Sequence, residues 1–246
     1  MSKKIKIITQ FIVIVIPTYN EKESLPKLVK QLSELDFNNW QVLIIDDNSP
    51  DGTGAIAEEL SKQYPLSVIH RSSKTGLGNA YRAGFKKALT MKPDIIIQMD
   101  ADLSHNPRVI LKMIDKLNNH DLVIGSRYVS GGGSENWSRF RKLISQFANV
   151  ITRLLLSSKI HDLTSGYKAF TYSALKGLSF EQTSSVGYNF QVEMNIMCER
   201  QGYRICEIPI IFIERKVGQS KFDIKIIIES ALRVFLLAFN VIFKSK

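Results

Sequence analysis

Cysteine is scarce: the 246 residues contain two, Cys198 and Cys206, with no CxxC spacing and no histidine placed as a co-ligand. This excludes a disulfide-stapled scaffold and a cysteine-pair zinc site, and points to reduced structural thiols in a cytosolic compartment. Long apolar runs are also missing. The opening "MSKKIKIITQFIVIVIPTYNE" has the lysine-then-apolar order of a signal peptide, but Lys6, Thr9 and Gln10 interrupt it. Its clean segment, residues 11–16, is short, and no small-residue cleavage site follows, so it reads as a first β-strand. No Pro/Ser-rich linker and no repeat divides the chain, and the one glycine cluster, "SGGGSENW" at 130–137, reads as a loop. Neither a Walker loop nor a GxGxxG fingerprint is present. Acid is in relative deficit, with 33 basic against 23 acidic residues and a formal charge of +10. Such a balance favours an anionic partner: nucleic acid, a phosphate-bearing ligand or an acidic membrane face. Nucleic acid is the poorest fit, because the basic residues lie in loops without aromatic interleaving and no nucleic-acid motif occurs.

What is present is an alternation. Residues 11–16, 42–46, 66–70, 95–99 and 122–124 are short, β-branched and nearly all apolar, as strands covered on both faces should be. Between the first two, Leu25, Leu28, Val29, Leu32 and Leu35 keep helical spacing; between the last two, Val109, Ile110, Met113, Ile114 and Leu117 do the same. The pattern predicts a mostly parallel sheet flanked by helices. In such a sheet ligands bind outside the carboxyl ends of the strands, so the residues just after each strand carry the chemistry.

After the first strand comes "PTYNE", residues 17–21, where proline and an aromatic make a shelf for a planar ring. After the second comes "DDNSPDGT", residues 46–53, where Asp47 can accept hydrogen bonds from ribose hydroxyls or base amines, while 48–53 read as a turn with Thr53 as helix N-cap. Gly76 and Gly78 precede a helix whose N-terminus suits a phosphate. The fourth strand runs into "DADLSHNP", with Asp100 and Asp102 two apart; if the strand continues, both side chains point the same way and offer oxygens to Mg²⁺ or Mn²⁺. A pair of solvated loop acids, with Asp102 or Ser104 capping the next helix, accounts for the same residues. "GSRY" at 125–128, followed by Arg139, Arg141 and Lys142, supplies guanidinium donors for phosphate, and "ERKVGQSKF" at 214–222 adds Arg215, Lys216 and Lys221.

Taken in order, "PTYNE", "DDNSPDGT", "GLGNAYRAGF", "DADLSHNP", "GSRY", "DLTSGYKAF", "GYNFQVEM" and "ERKVGQSK" resemble dolichyl-phosphate mannose synthases and their polyprenyl-phosphate relatives in glycosyltransferase family 2. The resemblance spans residues 17–221 and implies a GT-A, Rossmann-like fold. It also implies inverting transfer of a single hexose, mannose from GDP-mannose, to dolichyl or polyprenyl phosphate; the neighbouring alternative is UDP-glucose with undecaprenyl phosphate. A rival of another class is a non-catalytic nucleotide-binding module. Carried over by motif, Pro17, Tyr19, Glu21, Ile45 and Asp47 would hold the nucleoside. Asp100 and Asp102 would bind the metal, Ala101 would add backbone, and Arg127 and Lys221 would contact phosphates. Asp102, Arg127 and Arg141 are the candidate catalytic residues, Arg141 for the acceptor phosphate. Asn48 stands where glycine is common, and Ser104 where some relatives have a glutamine ligand. Glu193 is not the processive signature of polysaccharide synthases, and no QxxRW follows.

A lipid phosphate is already anionic near neutral pH, so the reaction asks for no general base. None is apparent among the scattered His70, His105, His120 and His161. The tail, "DIKIIIESALRVFLLAFNVIFKSK", carries Lys225, Glu229 and Arg233 along one stripe of an apolar helix. Its charges argue against a span and for an interfacial helix, or one docking to a membrane-anchoring subunit. The expectation is a GT-A domain over 1–222 and an amphipathic, non-spanning helix over 223–246, peripheral on the cytoplasmic side of a membrane.

Overall fold

The computed structural model describes residues 9–183, Ser185, Gly187 and residues 189–214. In chain order the elements are β1 (Ile12–Thr18), α1 (Leu25–Ser33), β2 (Trp40–Asp46), α2 (Thr53–Ser61), β3 (Leu66–His70) and α3 (Leu77–Thr90). Next come β4 (Ile95–Gln98), α4 (Val109–Leu117), β5 (Leu122–Ser126), β6 (Gly133–Glu135) and α5 (Arg139–Leu156). The chain continues with β7 (Lys168–Thr171), α6 (Tyr172–Gly177), α7 (Asn189–Arg200), β8 (Ile205–Pro209) and β9 (Ile211–Ile213). Among the described residues seven strands form one sheet, ordered β3-β2-β1-β4-β7-β5-β8, and β6 pairs with β9 beside it. Every pairing in the large sheet is parallel except those of β7, which runs antiparallel between β4 and β5. The five apolar runs are five strands, and the two helical patterns are α1 and α4. β7 and β8 left little mark on the sequence because Lys168 and Glu207 interrupt them.

Although the central strands β1, β2, β4 and β5 are mostly apolar, their residues divide by period two. Ile12, Ile14, Ile16, Val42, Ile44, Ile95 and Ile97 pack with α1, α2 and α4. Val13, Val15, Leu43, Ile45, Ile96 and Ile124 pack with α3, α6 and α7 on the other face. Each such buried side chain contributes about 1.5–3 kcal/mol before chain entropy is counted. Gly84 lets α3 lie close: a Cβ there would stand 2.5 Å from Val15 Cγ1 and 2.7 Å from Ile45 Cδ1.

The topology positions the site. From β1 the chain steps outward through β2 to β3, then returns to place β4 on the opposite side of β1. The order reverses between β1 and β4, the position where open α/β sheets bind their ligands, and the segments leaving these two strands flank it. These segments are "PTYNE" and "DADLSHNP". No helix of the described residues is long and apolar enough to cross a membrane. The expected helix over 223–246, the boundary at 222 and Lys221 lie outside the described residues.

Candidate active site

On the β1/β2 side, Thr18 lies opposite Asp46 in register, and the Asp47 amide donates to Thr18 O (3.1 Å). Asp47 is buried, and Arg71 Nη1 donates to its Oδ1 at 2.5 Å. Burial raises the Asp47 pKa and Arg71 offsets part of that rise. Lys74 Nζ sits 3.7 Å from the centre of the Tyr19 ring. Glu21 ties the segment after β1 to the starts of α1 and α2: its carboxylate accepts from Ser24 Oγ (2.6 Å) and its amide donates to Thr53 Oγ1 (2.9 Å). Ile45 buries its side chain against α3, so only its main chain can face the site. Thr53 is not the cap: Gly52, at φ 90°, takes that position, and the Asp51 carboxylate accepts from Thr53 N and Oγ1. Asn48 adopts φ 56°, a left-handed conformation that asparagine tolerates.

The aspartate pair is not presented by strand alternation. β4 ends at Gln98, and the chain turns through Leu103 at φ 64°. Two polar captures cause the turn: the Asp100 amide donates to His105 Nδ1 (3.2 Å), and Asp102 Oδ1 accepts from Ser104 N (3.0 Å) and Oγ (2.5 Å). A non-glycine residue held left-handed costs about 1–3 kcal/mol, a strain that collects at functional sites. Ser104 therefore orients Asp102. Nor does either residue cap the next helix, since the cap position of α4 is Arg108.

Asp100 is held from three sides. Tyr81 Oη donates to its Oδ1 (3.1 Å), and His105 Nε2 stands 4.0 Å from its Oδ2. Gly166 passes so close that a Cβ would lie 3.4 Å from that same Oδ2. His105 is buried and stacked on Tyr167 at 4.7 Å; burial lowers its pKa, and neutral imidazole is the form that accepts at Nδ1. Asp100 and Asp102 supply hard oxygens suited to Mg²⁺ or Mn²⁺, which commonly take one or two carboxylates and complete their shell with water and substrate phosphates. A side chain at position 166 would stand against both Asp100 carboxylate oxygens, which glycine leaves uncovered on that side. Among the described residues no group of three or more His, Cys, Asp or Glu stands together as a metal cage.

Arg127 lies beyond Asp100, at the end of β5, with only 11% of its side chain exposed. Nε and Nη2 donate to Asp162 Oδ2 (2.8 Å) and Oδ1 (2.7 Å), and Nη2 also reaches Thr164 Oγ1 (2.7 Å). Burial works against both charges, but the pairing prevails: it raises Arg127 and holds Asp162 below the usual carboxylate range. Trp137 and Phe212 pack against the guanidinium. Arg141 covers the other part of Trp137, 4.3 Å from the ring centre, and pairs with Glu214. The switch point thus gathers Pro17, Tyr19, Glu21, Asp47, Asp100, Ala101, Asp102, Arg127 and Arg141 along one edge. Asp162, His105, Tyr81, Gly166, Arg71 and Lys74 join them without having been singled out; Asp162 and Gly166 lie in "DLTSGYKAF", whose order was the only available signal.

Two residues before Asp100, a second polar group is buried in the sheet. Lys168 Nζ donates to Gln191 Oε1 (2.6 Å), which also accepts from Gln98 Nε2 (2.7 Å), and Gln98 Nε2 reaches Gly166 O (3.1 Å). Burial lowers Lys168 to about 7. An unfolded lysine keeps its proton to about pH 10.4. Between these values the unfolded chain binds more protons, so Lys168 makes stability rise with pH over that window. Lys168→Met removes this slope: the variant's melting temperature minus the parent's should fall steadily from pH 7 to pH 10, and a constant difference would refute the assignment.

The sheet order, the flanking helices and the acid-bearing switch point define a GT-A fold. Residues 13–178 match the Glycosyl transferase family 2 domain. The chain is 41% identical to an undecaprenyl-phosphate mannosyltransferase of Micrococcus luteus, over 89% of its length and 90% of the relative's. It is 41% identical to a polyprenol monophosphomannose synthase of Mycolicibacterium smegmatis (92% and 86%), and 38% to a dolichol-phosphate mannosyltransferase of Pyrococcus furiosus (91% and 62%). In fold it resembles the glucosyl-3-phosphoglycerate synthase of Mycobacterium tuberculosis bound to Mn²⁺, UDP and phosphoglyceric acid, at TM-score 0.69 and 16% identity, covering 94% of this chain and 78% of that one. The same synthase in complex with Mg²⁺ and UDP gives a TM-score of 0.64, with coverage of 94% and 79%. The chain belongs to glycosyl transferase family 2 and is a glycosyltransferase.

Proposed function

We propose that the protein transfers one mannose from GDP-mannose to the phosphate of a polyprenyl or dolichyl phosphate, with inversion at the anomeric carbon. The observation that carries this reading is the switch point of the sheet, where the Asp100–Asp102 turn lies between the segment bearing Tyr19 and Asp47 and the arginines Arg127 and Arg141. Relatives named for mannose transfer to polyprenyl carriers support the choice of sugar and acceptor. Tyr19 and Asp47 receive the nucleoside, with Lys74 and Arg71 positioned to meet the negative charge of the diphosphate attached to it. Asp100 and Asp102 would hold Mg²⁺ or Mn²⁺, which when bound would neutralise charge building on the diphosphate.

A lipid phosphate oxygen attacks C1 of the sugar. The bond from C1 to the diphosphate oxygen breaks, and the nucleoside diphosphate leaves with the electron pair. No proton has to be removed from the nucleophile. What the chain must do is hold two anions together, a task for Arg141 and for the Arg127 Nη1 hydrogens, which the Asp162 and Thr164 contacts do not use. The enzyme would work at a membrane surface, peripherally. Incubation with polyprenyl phosphate and labelled GDP-mannose or UDP-glucose, with and without Mg²⁺ or Mn²⁺, tests the reading. The expected product is an organic-extractable, acid-labile mannolipid formed only with metal; no sugar lipid from any donor would refute it.

A further inference from the structure

Helix α5 is inside out. Its inward positions are polar except for Leu156, which packs into the core at the last turn: Ser145 shares a 2.6 Å hydrogen bond with Tyr128 Oη, buried Asn149 donates to His161 O and accepts from Leu163 N, and Arg141 pairs with Glu214. Its outward positions are apolar. Phe140, Leu143, Phe147 and Leu154 are each at least 64% exposed, and seven of the nine large exposed hydrophobics among the described residues lie on this helix. The stripe keeps helical spacing over four turns, the reverse of an ordinary surface helix. A continuous apolar stripe of this extent marks an interaction surface.

We propose that this face lies on a lipid bilayer bearing anionic headgroups. The helix contains four basic residues and no acid. At about 100° per residue, Arg139, Lys142 and Arg153 fall together along one flank of the stripe. An apolar stripe with a cationic flank is the composition of an interfacial helix, whose apolar face sinks below the headgroups while its cations meet lipid phosphates. A second copy would instead bring two acid-free basic helices together. The helix begins beside Arg127 and Trp137 and is tied to Tyr128, so its lipid face adjoins the place where a membrane-borne phosphate would arrive. In its purpose, though not in the surface itself, this proposal rests on the polyprenyl-phosphate reading.

The test uses the full chain, sedimented with vesicles of phosphatidylcholine alone or mixed with phosphatidylglycerol. The parent is expected to partition into the mixed vesicles and to be released by salt. Phe147→Ser/Leu154→Ser should weaken partitioning by about tenfold or more, from the apolar area removed. Its melting temperature and its turnover of a short-chain polyprenyl phosphate in detergent should stay unchanged. Arg139→Gln/Lys142→Gln should lose the preference for the anionic vesicles. Partitioning of the double serine variant equal to the parent's would overturn the proposal. So would a marked fall in its melting temperature, which would mean that residues 215–246 cover the stripe, or a parental dimer that the variant dissociates. If vesicle binding follows the stripe while no donor yields a sugar lipid, the membrane face stands and the transfer reading falls.

Discussion

Asp102→Asn is expected to lower sugar transfer by about 10²–10³-fold, the usual loss when one preorganised charge facing the transition state is removed. Its melting temperature should shift by no more than about 2 °C, as for a partly exposed substitution that spares packing. Asparagine keeps an Oδ1 that can accept from Ser104 N and Oγ, so the turn through Leu103 survives. What it loses is the negative charge that would attract a divalent cation. Sugar-lipid formation at saturating donor over a range of Mn²⁺ concentrations, beside thermal unfolding, separates the two effects. Unchanged turnover would return Asp102 to the status of a loop acid whose task is to shape the turn.

Asp162→Ala is expected to produce the largest loss of stability. It leaves the Arg127 guanidinium enclosed by Trp137, Phe212 and Tyr128 without its carboxylate, and breaking one side of a buried pair costs about 3–5 kcal/mol. For a chain of this size that is a fall of about 6–20 °C in melting temperature. Replacing both partners, as Arg127→Met/Asp162→Leu, should recover much of the stability, because apolar substitutes for a buried ion pair are often near neutral, while transfer activity stays low. A fall of under 2 °C in Asp162→Ala would show that the pair is not enclosed as described. Since Arg127 holds the Asp162 pKa below its ordinary value, the pair's contribution is present above the unfolded carboxyl's pKa of about 3.9 and is lost as pH falls below it.

These two aspartates differ in how visible they were along the chain. Asp102 follows an apolar run directly, and the strand-end rule makes that position suspect. Asp162 sits 35 residues from Arg127 and follows no strand; the hydrogen-bond partner that gives it meaning is set only by folding. His105 likewise reads as one of four scattered histidines, yet it holds the Asp100 amide and stacks on Tyr167, 62 positions later. The expectation that Asp100 and Asp102 share a face by strand alternation failed for a related reason. Side-chain capture of two backbone amides ended the strand early, and such local competition leaves no periodic trace.

The parallel core was legible because strands buried on both faces are nearly all apolar, so β1, β2, β4 and β5 announce themselves as short Ile- and Val-rich runs, while the edge strand β3 shows a weaker run broken by Ser67 and His70. From them followed the sheet, the edge at which ligands bind and the acids that wait there. Folding alone assigned the order β3-β2-β1-β4-β7-β5-β8, the antiparallel insertion of β7, the Asp162 partner of Arg127 and the outward-facing stripe of α5. Hydrophobic period is a property of neighbours along the chain and can be read there. Whether a charge is paired in the interior, or an apolar stripe faces water, depends on which distant segments share its surroundings, and those are chosen by packing.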